Sequence, residues 1–175
     1  MVTRWELIGE HDGSAGFLPV VAREYRLPDG GRAEWDIFGP EQTVAILAIT
    51  PANEIVLARQ YRPGPDEILD EMPGGLVEPG EEVAAAAARE LLEETGYAGE
   101  ISVVARTWLS GASRTRRFCA VARNAESVSS PLNEPGEFCD VVLVSLAQFR
   151  EHLRSGELTD ADLGYLGMDH AGLLH

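Results

Sequence analysis

The sequence predicts a mixed α+β fold, and three observations lead to that expectation. Several short apolar or alternating runs have the length of β-strands. Residues 82–95 consist largely of strong helix formers. A glycine-rich stretch, residues 74–80, leads into that helical segment. With 175 residues, of which 45% are hydrophobic, the chain suits one domain with a small appended part.

The predicted strands begin with a hairpin. Residues 16–38 alternate apolar and polar side chains around a turn at residues 27–31, the pattern of a β-hairpin. Residues 43–50 form a continuous apolar run, as expected of a strand buried on both faces. Residues 63–66, Pro-Gly-Pro-Asp, must be a loop. The other predicted strands are residues 55–62, 101–109, 117–122 and 141–144.

The strongest helix prediction covers residues 82–95. It contains five consecutive alanines, and Gly96 follows where a left-handed helix cap is expected. Residues 146–155 also look helical, and residues 159–174 could form a terminal helix.

The chain is strongly acidic, with 29 Asp and Glu against 14 Lys and Arg and a formal net charge of −15. Such a surface repels nucleic acid and anionic membranes, so neither is expected as a partner. It would also repel a diphosphate unless cations mediate the contact. Cys119 and Cys139 show no partner motif and are expected to be buried free thiols. The first residues lack the apolar run of a secretion signal, so we expect a cytoplasmic location.

Three carboxylates share one turn of the predicted helix. Glu90, Glu93 and Glu94 stand at positions i, i+3 and i+4. Their mutual repulsion is relieved in part if Arg89 pairs with Glu93. A solvated acidic face would account for an isolated pair, but hard cations such as Mg²⁺, which prefer carboxylate oxygens, account for the whole set.

The glycine-rich stretch supports the cation interpretation. Its glycines suit unusual backbone dihedral angles, and such a loop can direct a backbone carbonyl, that of Gly74, at the same ion. Glu81 also lies near the helix start, where a negative charge is favourable.

The spacing of these residues resembles a known motif. Gly75, five residues, Glu81, seven residues, then Arg89-Glu90-Leu91-x-Glu93-Glu94-x-Gly96 resembles the complete Nudix box. Arg59-Gln60-Tyr61-Arg62 and Glu71-Met72-Pro73-Gly74-Gly75 are similar to the ADP-ribose pyrophosphatase branch of that family.

The resemblance implies an α/β/α sandwich with a mixed central sheet and an N-terminal β-hairpin extension. Residues 1–40 would form that extension and help build a domain-swapped homodimer, and residues 41–175 would form the Nudix hydrolase domain.

The resemblance also implies roles for individual residues. Glu90, Glu94 and the Gly74 carbonyl would bind Mg²⁺, with Mn²⁺ as a possible substitute, while Glu93 would assist or hold Arg89, which orients the cluster. In the late loop, residues 133–138, Glu137 is assigned to metal and Glu134 to the attacking water, although a one-residue slip would exchange them. Substrate-binding roles fall to Arg62 on a phosphate, Glu71 in the adjacent motif, and Trp35 and Phe17 on the nucleobase.

Two of these assignments compete with simpler interpretations. Aromatic residues in a hairpin, such as Trp35 and Phe17, are more often core or dimer-interface residues. Arg114, Arg116 and Arg117 form a local basic cluster that could meet phosphates, but a solvated strand end is the simpler reading.

The implied activity is hydrolysis of a diphosphate bond in a small nucleoside diphosphate derivative, with ADP-ribose first, giving AMP and ribose 5-phosphate. Residues 108–113 keep the glycine but lack the proline of the ADP-ribose branch, which leaves room for GDP-mannose, another nucleotide sugar or a dinucleotide. A catalytically silent nucleotide-sensing module should have lost box glutamates, and none is lost here. A nucleoside triphosphatase fits the N-terminal hairpin poorly, and messenger-RNA decapping fits the net charge of −15 poorly.

Overall fold

The hairpin prediction is confirmed. The computed structural model describes residues 20–132 and 138–174. Strand β1 (Val20–Arg26) pairs antiparallel with β2 (Arg32–Phe38) as a separate two-stranded sheet. At its base, the amide of Phe38 donates to the Ala112 carbonyl at 3.2 Å, and the amide of Arg114 donates to the Phe38 carbonyl at 3.1 Å. Most side chains of the hairpin are exposed.

A mixed seven-stranded sheet forms the body of the described structure, as the α+β prediction requires. The main path of the sheet has the order β5-β4-β3-β8-β7, with β6 paired to β3 and β9 paired to β4. Strands β3 and β8 are parallel, and the other pairs are antiparallel. The strands are β3 (Gln42–Ile49), β4 (Glu54–Arg62), β5 (Glu67–Glu71), β6 (Gly74–Leu76), β7 (Tyr97–Trp108), β8 (Arg116–Ser127) and β9 (Asp140–Ser145).

Helices cover both faces of this sheet, so the three-layer α/β/α arrangement is confirmed. The helices are α1 (Val83–Thr95), α2 (Leu146–Ser155) and α3 (Ala161–Ala171). The side chains of β3 alternate between two apolar clusters. Ile46 packs in the cluster that α1 completes with Leu91, and Leu47 packs in the cluster that α2 and α3 complete with Phe149 and Leu163. Burial on both faces explains why β3 is a continuous apolar run.

Two short strands were not predicted. Residues 67–71, Glu-Ile-Leu-Asp-Glu, do not alternate and directly follow the loop at residues 63–66, and residues 74–76 were expected to be loop. Both become strands because their backbones pair with longer neighbours, β5 with β4 and β6 with β3. Strands β7 and β8 also extend beyond the predicted residues, because each pairs with the other across a β-bulge near Gly99.

The helix predictions are confirmed to within three residues at each end, α2 at its predicted bounds, and both cysteines are buried free thiols, as expected. Helix α2 begins at a capping box formed by Ser145 and Gln148. In the described part of the chain, no helix has the length and apolar character that crossing a membrane requires.

Candidate functional site

Helix α1 positions the acidic residues of the candidate site. Ala86, Ala87 and Leu91 are buried against the sheet, which turns the other side of the helix, carrying its charged residues, toward β6. The helix ends at Gly96, which has φ 71° and donates its amide to the Leu92 carbonyl at 2.8 Å. Packing against the sheet and the C-terminal cap at Gly96 therefore fix where the carboxylates of the last two turns lie.

Arg89 lies at the centre of the acidic cluster. Its Nη1 donates to Glu90 Oε1 at 2.8 Å and to Glu93 Oε2 at 3.0 Å, so the expected pair with Glu93 is present. Its Nε and Nη2 donate to the two oxygens of Glu81, each at 3.1 Å. These hydrogen bonds hold the pKa of Glu81 below its usual value and raise that of Arg89. Arg89 also donates to the Leu76 carbonyl at 3.0 Å, so it joins α1 to the end of β6.

Glu94 lies in a desolvated position beside Gly74. Its Oε2 accepts from the amide of Gly74 at 2.9 Å, and its Oε1 accepts from Gln60 Nε2 at 3.5 Å. Desolvation raises the pKa of Glu94 to about 8; the charges of Glu90 and Glu71 add to this rise, and the Gly74 amide and Arg62 oppose it. A carboxylate in this position gains from a nearby cation.

Gly74 and Gly75 are required by close approach, not by backbone dihedral angles. The expectation of unusual dihedrals is wrong for these two, because positive φ within the stretch occurs at Gly80, at 86°. A Cβ on Gly74 would overlap the backbone of Val44, and a Cβ on Gly75 would overlap the carboxylate of Glu90. Glycine therefore lets β6 lie directly against both β3 and the acidic cluster.

The described residues offer a partial oxygen-donor set for a divalent cation. Glu90 and Glu94 lie one turn apart on the side of α1 that meets β6, and carboxylate and carbonyl oxygens suit hard cations. No group of three or more His, Cys, Asp or Glu in residues 20–132 and 138–174 is arranged to hold an ion alone. The donor chemistry fits a hard cation, and a third carboxylate would have to come from elsewhere.

The late loop was expected to supply that carboxylate. Glu134 and Glu137 lie outside the described residues, as does Phe17. The described residue before the loop lies beside the cluster, because the amide of Leu132 donates to the Glu93 carbonyl at 2.7 Å. Leu132, the last described residue before the loop, thus lies at the end of α1.

Arg62 and Glu71 form an ion pair next to the cluster. Arg62 Nε donates to Glu71 Oε2, and Thr159 Oγ1 donates to Glu71 Oε1 at 2.5 Å. Glu71 is only 2% exposed, whereas the side chain of Arg62 is 40% exposed. Arg62 also lines a cavity of about 280 Å³ together with Gly74, Gly75, Arg117 and Asp160. The cavity joins the ion pair to the glycines beside Glu90 and Glu94.

Trp35 is not part of this cluster. It lies on β2 of the hairpin, and 58% of it is exposed. Within this chain, the structure therefore brings together Arg62, Glu71, Gly74, Arg89, Glu90, Glu93 and Glu94, and leaves Trp35 apart.

The basic cluster is not a solvated strand end, so that reading is wrong. Arg117 is buried and pairs with Asp160 and Asp162 at the start of α3. Arg114 donates to the Gly39 carbonyl at 2.9 Å. The guanidinium carbon of Arg116 lies 3.5 Å from the ring centroid of Trp108. Each arginine has a partner that the sequence did not reveal.

Sequence reasoning missed two residues that touch this site. Gln60 could have been found, because residues two apart on a strand share a face and Arg62 was already a candidate. Thr159 gave no such signal, since it lies 88 positions from Glu71 and only the fold brings the two together.

Comparison with known proteins identifies the family of this chain. Residues 39–162 match the model of the NUDIX domain. The chain is 31% identical over 148 residues to an ADP-ribose pyrophosphatase of Saccharomyces cerevisiae, a match that covers 74% of this chain and 64% of the yeast protein. It is 29% identical to an ADP-ribose pyrophosphatase of Bacillus subtilis, covering 87% of this chain and 84% of that protein.

A solved structure shows the same fold. The crystal structure of an ADP compounds hydrolase superposes with a TM-score of 0.75 at 21% identity, covering 99% of this chain and 98% of that one. At this identity the likeness establishes the fold alone.

Proposed function

The chain belongs to the NUDIX domain family and is a pyrophosphohydrolase of that family, and from this premise we propose that it hydrolyses ADP-ribose to AMP and ribose 5-phosphate. The observation that carries the proposal is the placement of Glu90 and Glu94 against Gly74 and Gly75, beside a cavity that Arg62 lines. Two relatives named as ADP-ribose pyrophosphatases support this substrate.

The proposed mechanism assigns each residue one task. Glu90, Glu94 and the Gly74 carbonyl would hold the divalent cation, Mg²⁺ with Mn²⁺ as a substitute, while Arg89 fixes the carboxylates of Glu90 and Glu93. When bound, such cations neutralise charge on the diphosphate and make water more acidic. Arg62 binds a phosphate, for which a guanidinium offers several donors.

The proton of the attacking water goes to a late-loop glutamate, Glu134 or Glu137, and the other supports the cation. Water adds to one phosphorus, the bridging P–O bond breaks, and the two monophosphates leave. Glu71 acts on the substrate through Arg62, because its own carboxylate is buried and already accepts hydrogen bonds from Arg62 and Thr159.

We also propose that residues 1–40 mediate a homodimer. Val20, Val21, Tyr25 and Trp35 are large apolar side chains exposed on the hairpin, which is costly in a monomer. In that assembly Trp35 and Phe17 stack on the nucleobase of a shared site. The assembly works in the cytoplasm on a small substrate.

A substrate screen tests the proposal. ADP-ribose, GDP-mannose, NADH and nucleoside triphosphates are incubated with Mg²⁺ or Mn²⁺, and products are identified by chromatography and mass. Hydrolysis in ¹⁸O-water then shows which phosphate received the oxygen. Glu94→Gln serves as the inactive control.

The screen separates the alternatives. If GDP-mannose or NADH is hydrolysed faster than ADP-ribose, that compound becomes the proposed substrate. Residues 108–113 are compatible with this outcome, because they lack the proline of the ADP-ribose branch. Nucleotide binding with no turnover would instead favour a sensing module.

A further inference from the structure

The segment that precedes α3 reaches back to the proposed phosphate-binding arginine. Thr159 Oγ1 donates to Glu71 Oε1 at 2.5 Å, and Glu71 Oε2 accepts from Arg62 Nε. The three side chains form a chain of hydrogen bonds from the C-terminal part of the protein to the wall of the cavity.

Glu71 is buried, so its hydrogen bonds are not easily replaced by water. Its side chain is 3% exposed, and a buried carboxylate that loses a donor must find another. The nearest source is the guanidinium of Arg62. With Thr159 in place, the side-chain hydrogen bond of Arg62 within the described residues runs through Nε. Arg62 also lines the cavity, so its side chain contacts both Glu71 and the cavity.

Thr159 is itself held in place by its neighbour. Asp160 pairs with Arg117, whose side chain is 9% exposed, and Arg117 Nη1 also donates to Asp162 at 3.0 Å. Arg117 faces two carboxylates, so it does not add a free positive charge to the cavity. Its effect is to fix the backbone at Thr159.

We propose that Thr159 is a positioning residue for phosphate binding, which acts through Glu71 to keep the guanidinium of Arg62 directed at the diphosphate of the substrate. The inference rests on the proposed function, because it takes the ligand of Arg62 to be a diphosphate. Loss of the hydroxyl lets the carboxylate draw the terminal nitrogens of Arg62 away from the cavity.

The test is a double-mutant cycle measured by binding. ADP is titrated calorimetrically into the full-length wild type, Thr159→Val, Arg62→Ala and the double variant, and kcat and KM are measured on the best substrate. Thr159→Val should weaken ADP binding and raise KM about tenfold, with kcat within about twofold. On the Arg62→Ala background, Thr159→Val should add no further loss.

Two matched variants separate positioning from structural support. Thr159→Ser keeps the hydroxyl and should bind ADP like the wild type. Thr107→Val, on β7, removes a hydroxyl that donates to Asp162 Oδ2 of α3 at 3.2 Å and does not bond to Glu71, so it should also leave binding unchanged. Thr159→Ala replaces Thr159→Val if the latter does not fold.

Three results would overturn the inference: an equal loss from Thr159→Val with and without Arg62, an equal loss from Thr107→Val, or unaltered binding in the folded variant. A wild type that does not bind ADP would overturn it as well. Binding of ADP by a wild type that hydrolyses nothing in the screen overturns only the proposed function, because the cycle is measured on binding.

Discussion

The amide of Gly74 donates to Glu94 Oε2 at 2.9 Å and so joins β6 to the last turn of α1. The two residues are 20 positions apart in sequence, and the hydrogen bond fixes the position of the Glu94 carboxylate between α1 and β6. Because Gly74 is already paired with Ala45 of β3, the central sheet itself positions Glu94. Catalytic groups held by such rigid elements keep their geometry when substrate binds.

The first prediction concerns Glu94→Gln. Glutamine keeps an oxygen for the Gly74 amide but removes the charge, so we expect kcat to fall at least ~100-fold with little change in the melting temperature. Glu100→Gln is the control, since Glu100 is exposed and accepts from Asn124 on β8. Activity near that of the wild type in Glu94→Gln would remove this residue from the proposed metal site.

The second prediction concerns Gly74 and Gly75 as a contrasting pair. Gly75→Ala pushes against the end of the Glu90 side chain, which can move, so we expect lost activity with a nearly unchanged fold. In Gly74→Ala the new Cβ would clash with the Val44 backbone, which cannot move. We therefore expect the unfolding free energy to fall by about 1–3 kcal/mol. Activity assays and urea unfolding measure the two effects.

Gly111→Ala is the control for this pair, because a Cβ there meets nothing within 4 Å. The close-approach explanation fails if Gly75→Ala is as active as Gly111→Ala. It also fails if Gly74→Ala is as stable to urea as Gly111→Ala.

The third prediction concerns Arg89. Replacement by alanine leaves Glu81, Glu90 and Glu93 without their shared cation, and we expect a loss of about 1–3 kcal/mol at low salt. Arg89→Lys should recover only part, because an ammonium group cannot match the planar fork of donors. Urea unfolding measures both, with Arg106→Ala on β7 as the exposed control. A loss no larger than that control would show that the network does not stabilise the fold.

The fourth prediction concerns metal addition. A cation that binds only the folded state at ~100-fold excess over its Kd stabilises it by about 2.7 kcal/mol. For a domain of this size that corresponds to roughly 5–10 °C in melting temperature. Mg²⁺ or Mn²⁺ should raise the melting temperature of the wild type but not of Glu90→Gln or Glu94→Gln, and EDTA should reverse the rise. An equal rise in the variants would place the cation elsewhere.

The fifth prediction concerns Cys119. Burial raises its pKa to about 12, and the charges of Asp160 and Asp162 add to the rise. The thiol should therefore resist iodoacetamide at pH 8.5 in the native state and react on unfolding. Rapid native alkylation at Cys119 would contradict its burial.

The same shift has a consequence for stability. Between pH 9 and 12 the unfolded state loses the thiol proton and the folded state keeps it, so the folded state is disfavoured as pH rises. Wild type should lose up to about 1.4 kcal/mol per pH unit more than Cys119→Ala in that window. If the unfolding free energies of wild type and Cys119→Ala, measured by urea unfolding, changed equally with pH, the raised pKa of Cys119 would be contradicted.

Much of the fold could be predicted because its signals are local. The apolar side of the alanine-rich helix and the continuous apolar run of β3 reflect their burial, and the alternation in residues 20–38 indicates extended strands although most of those side chains are exposed. Strands β5 and β6 could not be predicted, because short segments with charged or glycine residues become strands only when a neighbour supplies hydrogen bonds.

The same distinction between local and long-range signals applies to the site. The sequence alone determined the acidic turn of α1 and its pairing of Arg89 with Glu93, since residues on one helix lie at distances that helical geometry fixes. Only the tertiary structure decided that Gly74 bonds to Glu94, that buried Glu71 pairs with Arg62, and that Thr159 bonds to Glu71. Those contacts join residues 9 to 88 positions apart, and no local pattern encodes them, because they depend on how the sheet and the helices pack.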